Sequence, residues 1–351
     1  MNRRHLLALF GLTATGAAAY STTMPSKNPY YSGPPSPHFD GLRFGLPGAV
    51  ADKSRTDLLK WQVTGSKARW PSAYPTPGFD RPPERVAGSA LRVSYVGHAS
   101  FLVQTEGLNI LIDPVWSQRA SPFQWAGPRR VNDPGIALAD LPPIDVILVS
   151  HNHYDHLDLA TLSALTRGHQ ARVITPLGND TILLGHDSSI RVSAHDWSER
   201  IRISERVAVH IEPAYHWSAR GLGDRRMALW CAFVIETPAG NIYSVCDTGY
   251  RDGAIFRAMK AKHGGFRLAL LPIGAYAPRW FMADQHIDPF EAVKILKETN
   301  SAAAIAHHWG TFQLTDEAID EPPKLLAEAL EAANLPPEVF AVLRPGGVWE
   351  G

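Results

Sequence analysis

Residues 150–158 read SHNHYDHLD: three histidines and two aspartates in nine positions, directly after the apolar run IDVILV at 144–149. The run is continuous and rich in β-branched residues, as expected of a strand buried on both faces. A helical stretch, LDLATLSALTR, follows at 157–167. Just past a strand, side chains still alternate, so His151 and His153 aim one way while Asn152 and Tyr154 aim another. The chain then turns towards the helix, and Asp155 and His156 address a second point. Two ligand pairs facing two adjacent points suit a two-metal site. A lone H-x-H would be weak evidence, because surface histidine pairs are common. The full H-x-H-x-D-H gains weight from what stands downstream.

Three later apolar runs each end in a further candidate. VHIEPAYH delivers His216, NIYSVCD delivers Asp247, and AAAIAHH delivers His307 and His308. Each lies at or just beyond an expected strand terminus, which would gather them along one edge of the fold. The set is imidazole plus carboxylate without thiolate, which suits zinc and also admits iron or manganese. Cys246 neighbours Asp247, but alternation sends it to the opposite face.

Outward from this motif, the pattern is of strands with helices interspersed. LRVSYVGHASFLVQTEGLNILIDP (91–114) reads as a β-meander with a tight turn at Glu106 and Gly107. ARVITP, IRVSA, RIRIS and RVAVHIEP follow, then the hairpin LWCAFVIETPAGNIYSVCD, and then alternating helices and strands to the C-terminus. The expected class is α/β, a layered sandwich, with residues 91–351 as one catalytic domain. The two cysteines, Cys231 and Cys246, fall on the two arms of the hairpin. They read as small buried hydrophobes, with a cross-strand disulfide as the alternative.

Residues 20–90 are rich in Pro, Gly and aromatics, with one short helix expected around SRTDLLKWQV. So many Tyr, Trp and Phe point to an arm lying on the body rather than a free linker. Residues 1–19 carry two arginines, an apolar run from Leu6 to Ala19 and an A-x-A ending, as an export signal of twin-arginine type does. A periplasmic location is expected, with an uncleaved membrane tether as the alternative. The 34 basic and 34 acidic side chains cancel, which argues against nucleic acid as a partner.

Several stretches together resemble the N-acylphosphatidylethanolamine-hydrolysing phospholipase D branch of the metallo-β-lactamase superfamily. They are GHASFLV (97–103), DPVWSQRASPFQWAGPRR (113–130), LPPIDVILVSHNHYDHLD (141–158), CDTGY (246–250), LLPIGAYAPRWFM (270–282), QHIDPFEAV (285–293) and HHWGTFQLTDEAIDEPP (307–323). The resemblance implies an αββα sandwich of two packed mixed sheets with helices outside. It implies one zinc on His151, His153 and His216, another on Asp155, His156 and His308, and Asp247 bridging both. His308 rather than His307 occupies the ligand's place before WGTF, leaving His307 as a neutral histidine packed beside the site.

The implied reaction is hydrolysis of a phosphodiester to phosphatidate and N-acylethanolamine. A hydroxide held between two zinc ions about 3.5–4 Å apart would attack phosphorus, oriented by Asp155 and Asp247. Gln285 and His286 stand where the family has groups facing the substrate. His286 would bind the phosphate or protonate the leaving oxygen, and Arg220 would grip a phosphate. His98 reads as a residue supporting a ligand. A phospholipase also needs apolar access to a membrane surface. The candidates are Phe123 and Trp125, Trp280, Phe281 and Met282, and Leu58, Leu59 and Trp61. Animal members of the family are dimers, so a homodimer is a further implication. The ligands alone do not choose the substrate, and a soluble lactone or phosphoester is the alternative.

Overall fold

The computed structural model describes residues 26–46 and 53–351; the expected export signal lies outside the described residues. The first half of the body forms β1 (Arg92–Gly97), β2 (Ser100–Thr105), β3 (Leu108–Ile112), β4 (Val146–Leu148), β5 (Arg172–Pro176) and β6 (Val192–His195). The second half forms β7 (Arg200–Arg202), β8 (Ala208–Glu212), β9 (Ala232–Glu236), β10 (Ile242–Ser244), β11 (Leu268–Pro272), β12 (Ala304–His307), β13 (Phe340–Ala341) and β14 (Val348–Glu350). They build two seven-stranded sheets, β14-β1-β2-β3-β4-β5-β6 and β13-β12-β11-β10-β9-β8-β7. Both are mixed: antiparallel from β14 to β3 and parallel from β3 to β6, antiparallel from β7 to β10 and parallel from β10 to β13.

The strand alternation decides which layer each residue joins. Ile110 and Ile112 of β3 meet Val209, Ile211, Phe233 and Leu270 in the core between the sheets. Leu111, between them, faces outward with Ile147 and Val173. That outer face is covered by α2 (Leu159–His169) and α3 (Asn179–His186), through Leu162, Leu165 and Leu183. On the other side, Val234, Tyr243, Leu271 and Ala306 pack under α4 (Ala254–His263), α6 (Pro289–Glu298) and α7 (Glu321–Ala332). This is the expected αββα sandwich. Three apolar layers, each side chain in them stabilising by ~1.5–3 kcal/mol, hold the site's scaffold rigid.

Residues 26–46 lie on the second sheet's outer layer, where Phe39 and Phe44 are fully buried. The helix expected around SRTDLLKWQV is α1 (Arg55–Thr64), started by a capping box between Ser54 and Asp57. It is docked by Trp61, whose Nε1 donates to Asp316 at 2.9 Å and whose ring meets Phe281 at 4.9 Å. Leu58, Leu59 and Val63 of the same helix stay exposed. No helix among the described residues is long and apolar enough to cross a membrane.

Candidate metal centre

Six strands of the two sheets end at one edge, and each delivers a polar side chain there. His98 follows β1, Asp113 follows β3, His151 follows β4, His216 follows β8, Asp247 follows β10 and His308 follows β12. Four of these turns use left-handed backbone at a non-glycine residue: His98 (φ 56°), Asp113 (41°), Cys246 (56°) and His308 (62°). Such conformations are strained for these side chains and persist only where the surroundings fix them. At Cys246 the reversal leaves the thiol in the inter-sheet core and swings Asp247 to the edge. Behind His308 stands Gly274, where a β-carbon would collide with the His308 carbonyl.

The donor atoms of His151, His153, His216 and Asp247 lie within 4.8 Å of one another. Hydrogen bonds at their far sides fix which nitrogens face inward. His151 Nδ1–H donates to Ser150 Oγ at 2.9 Å, and His216 Nδ1–H donates to the Gln285 carbonyl at 3.0 Å. Their Nε2 lone pairs then converge on His153 Nδ1 at 2.9 and 3.2 Å. Burial pushes His153 and His216 down to about 3, and His151 well below its ordinary value. Two Nε2 lone pairs thus converge on one nitrogen of His153, which could carry at most one proton between them, and a cation among the three would satisfy all of them. Ligands about 2.05 Å from a tetrahedral zinc are spaced about 3.3 Å apart, so the residues fit a metal.

The second group is Asp155, His156 and His308, with His98 at its margin. Asp247 Oδ2 faces both groups, at 3.6 Å from His216, 3.9 Å from His151, and 3.2 Å from both His156 and His308. His308 Nε2 also lies 3.3 Å from Asp155. Burial disfavours charge on His156 and His308, but the carboxylates of Asp247 and Asp155 outweigh it. They raise His308 to about 9 and His156 well above its ordinary value, with Asp113 adding to the latter. Burial would raise both carboxyls, yet these imidazoles hold Asp155 and Asp247 well below the usual range. Without metal, protons supply the positive charge that the two carboxylates require.

The sequence reading missed Asp113. It is fully buried and accepts from Ser150 N (2.7 Å), Ser150 Oγ (2.6 Å) and His156 Nδ1 (2.7 Å). It therefore leaves His156 Nε2 free to bind metal, and supports His151 through Ser150. The available signal was its position: an Asp at the end of the strand beside the one that carries the motif. His98 is where a supporting residue was expected, with Nε2 2.9 Å from Asp155 Oδ2. Burial holds it at about 4, hence neutral.

A cleft of about 430 Å³ opens over the ligands. His153, Asp155 and Asp247 lie at its base, with Leu58, Trp61, Phe281, Met282 and Leu314 among its walls. Gln285 and His286 also line it, and His286 Nε2 is 4.0 Å from Asp247 Oδ2. Arg279 of α5 (Arg279–Met282) holds the His286 carbonyl at 2.7 Å. Trp280 is not part of the cleft lining; it stands beside Phe281 with ring centroids 5.6 Å apart, 43% exposed, with the Lys60 ammonium 4.8 Å from its ring.

Arg220 departs from expectation. It does not line the cleft; one nitrogen of its guanidinium donates to the backbone carbonyls of Asn152 and Leu157, each at 2.9 Å, which ties the side chain to the loop rather than to a phosphate site. The arginine that lines the cleft is Arg225, stacked 3.5 Å from the Trp217 ring. His307 is buried beside the site, with both ring nitrogens lacking a partner. Cys231 and Cys246 are free and buried. A further group, His210, Glu212 and His263, lies apart from this edge; the Lys262 ammonium 2.7 Å from Glu212 already neutralises its carboxylate.

A beta-lactamase superfamily domain model matches residues 108–309. An N-acyl-phosphatidylethanolamine-hydrolyzing phospholipase D 1 of Caenorhabditis elegans is 37% identical over 272 residues, covering 75% of this chain and 76% of that one. The mitochondrial N-acyl-phosphatidylethanolamine-hydrolyzing phospholipase D of Saccharomyces cerevisiae is 35% identical over 240 residues, 66% of this chain and 50% of the yeast protein. Among solved structures, the metallo hydrolase Igni18 of Ignicoccus hospitalis superposes with a TM-score of 0.55 at 18% identity, over 75% of this chain and 99% of its own. That likeness is one of fold.

Proposed function

The chain belongs to the beta-lactamase superfamily and is a metal-dependent hydrolase with N-acylphosphatidylethanolamine-hydrolysing phospholipases D among its homologues, and from that premise we propose that it is a dizinc phosphodiesterase of phospholipase D type. Its substrate on this reading is N-acylphosphatidylethanolamine or a related amphiphile, cleaved to phosphatidate and an N-acylethanolamine. The observation that carries the reading is the cleft: a charged base of His153, Asp155 and Asp247 beneath walls of Leu58, Trp61, Phe281, Met282 and Leu314. A polar reacting group and an apolar tail would each meet matching surface. Exposed Leu59, Val63, Phe123, Trp125 and Trp280, on α1 and on segments that also line the cleft, would meet a membrane surface.

Zinc would be held by His151, His153 and His216, and by Asp155, His156 and His308, with Asp247 shared. When bound, it supplies Lewis-acid charge and lowers the pKa of water. Asp155 and Asp247 orient the attacking water. Burial holds His286 neutral, so it offers one N–H to a phosphate or leaving oxygen rather than a full charge. Gln285 lies beside it at the cleft wall. Export of the protein to the periplasm, directed by residues 1–19, and a homodimer belong to the same reading.

The test is zinc-reconstituted protein with N-acylphosphatidylethanolamine in mixed micelles, its products identified by mass spectrometry beside an Asp155→Asn control. Zinc-dependent N-acylethanolamine, absent in the control, is expected. No release, with soluble lactones or phosphoesters still hydrolysed, would move the substrate to the soluble class.

A further inference from the structure

The arginine that does not reach the substrate cleft has another place in the site. One nitrogen of Arg220 donates to both the Asn152 and Leu157 carbonyls, 2.9 Å each, and these bracket His153, Asp155 and His156. The guanidinium lies 3.9 Å from the Tyr154 ring, and the Tyr154 hydroxyl donates back to the Arg220 carbonyl at 3.0 Å. A single planar cation thus closes both ends of the segment that supplies three of the seven ligands. Lysine could reach the carbonyls but has no plane to stack on Tyr154.

Arg220 is itself held from behind. Asp224, 8% exposed, accepts from the Arg220 backbone N–H at 3.1 Å and from Gly221 N–H at 2.8 Å. Its Oδ2, the oxygen that takes the Arg220 N–H, also accepts from the Tyr30 hydroxyl at 2.8 Å, and Tyr30 belongs to the N-terminal arm. The arm is sewn to the same loop by Asn28 on the Met227 carbonyl at 2.8 Å and by Phe44 N–H on the Arg226 carbonyl at 2.7 Å.

We propose that Arg220 is a positioning residue of the metal centre, and that the arm acts on that centre through Tyr30 and Asp224. The proposal rests on the reading of the site as a metal centre, and is independent of the substrate. Arg220 fixes the loop in its ligand-presenting form before metal arrives, so its loss weakens metal binding instead of removing a substrate contact. Groups that orient ligands typically contribute 10–100-fold to metal affinity.

The experiment loads the full chain with Co²⁺ or Zn²⁺ and measures retention against a competing chelator, together with the cobalt absorption spectrum, which reports ligand geometry. Arg220→Ala is expected to lower affinity about 10–100-fold and alter the spectrum, with Arg220→Lys intermediate. Tyr30→Phe, which removes one hydrogen bond at the arm, is expected to lower affinity about 2–10-fold. Arg344→Ala is the control, because Arg344 makes a comparable clamp on another part of the arm, 3.7 Å from the Tyr74 ring and bonded to the Pro75 carbonyl at 2.6 Å. It is expected to retain both metals with an unchanged spectrum even if its melting temperature falls. Wild-type retention and spectrum in Arg220→Ala and Arg220→Lys overturn the positioning role; wild-type retention in Tyr30→Phe overturns the part given to the arm. If Arg220→Ala does not fold, Arg220→Lys and Tyr30→Phe decide. A wild-type chain that takes up no metal removes the metal-centre reading itself.

Discussion

Replacing Asp113 with asparagine would test whether ligand geometry is set from behind the ligands. The perturbation is small in shape: one oxygen becomes NH₂, and asparagine tolerates the left-handed backbone at φ 41°. Its effect on hydrogen bonding is large. One carboxylate oxygen accepts from Ser150 N at 2.7 Å; the other accepts from Ser150 Oγ at 2.6 Å and from His156 Nδ1 at 2.7 Å. With NH₂ in the second place, donor meets donor at His156. The imidazole must then move its proton to Nε2, the atom that faces Asp247 at 3.2 Å and would bind metal. With NH₂ in the first place, it opposes the buried Ser150 N–H instead, at about 1–3 kcal/mol for an unsatisfied donor. Either way metal affinity should fall about 10–100-fold, equivalent to about 1.4–2.8 kcal/mol. Chelator competition on the cobalt- and zinc-loaded proteins measures this, with a melting curve to separate local from global effects. Metal held as tightly as in wild type would show that Asp113 does not set the ligand geometry.

His286→Ala should lower turnover about 10–100-fold while both metals stay bound, as read by steady-state kinetics beside metal analysis; unchanged kinetics would make it a wall residue only. For Glu212, burial alone would raise the carboxyl, but hydrogen bonds from His263 and Lys262 outweigh it and hold its pKa below the ordinary value. A folded pKa below the unfolded one gives stability that is complete above the unfolded value and lost as pH falls through the folded one. Glu212→Gln should therefore cost about 1–3 kcal/mol near neutral pH, and that gap should begin to shrink as pH falls below ~4.3, the ordinary glutamate value, in urea titrations; a pH-independent gap would refute the linkage. Burial also pushes the Cys231 and Cys246 thiols well above their ordinary range. Neither should react with a thiol reagent at pH 8 until the chain unfolds, and rapid labelling of the native protein would contradict their placement.

The layered fold was legible because strand alternation and buried apolar runs are local signals. IDVILV had to be an inner strand, and the hairpin around residues 238–241 had to turn there; β9 and β10 pair as expected. The short α3 was missed: it begins after Gly178 in left-handed backbone, and its 8 residues have no strong apolar face. β14 was missed because its partner is β1, about 250 residues earlier in sequence, and no local pattern encodes such a pairing. At the site, residues next to strand ends could be found by type and spacing. The direction of a long side chain could not. Arg220 sits four residues past His216, where either a phosphate or a backbone carbonyl would be in reach, and only the packing of Tyr154 and Asp224 decides. Asp113 was hidden for a similar reason: its role depends on β3 and β4 lying side by side in parallel.

If two metals share Asp247, as proposed, metal stoichiometry will show it. Purified wild type, saturated with zinc and freed of excess, would be measured by elemental mass spectrometry beside Asp247→Asn. Two equivalents per chain in wild type, with metal lost from both positions in the variant, is the predicted result. One equivalent or none in wild type, or two retained without the carboxylate that faces both ligand groups, would contradict it.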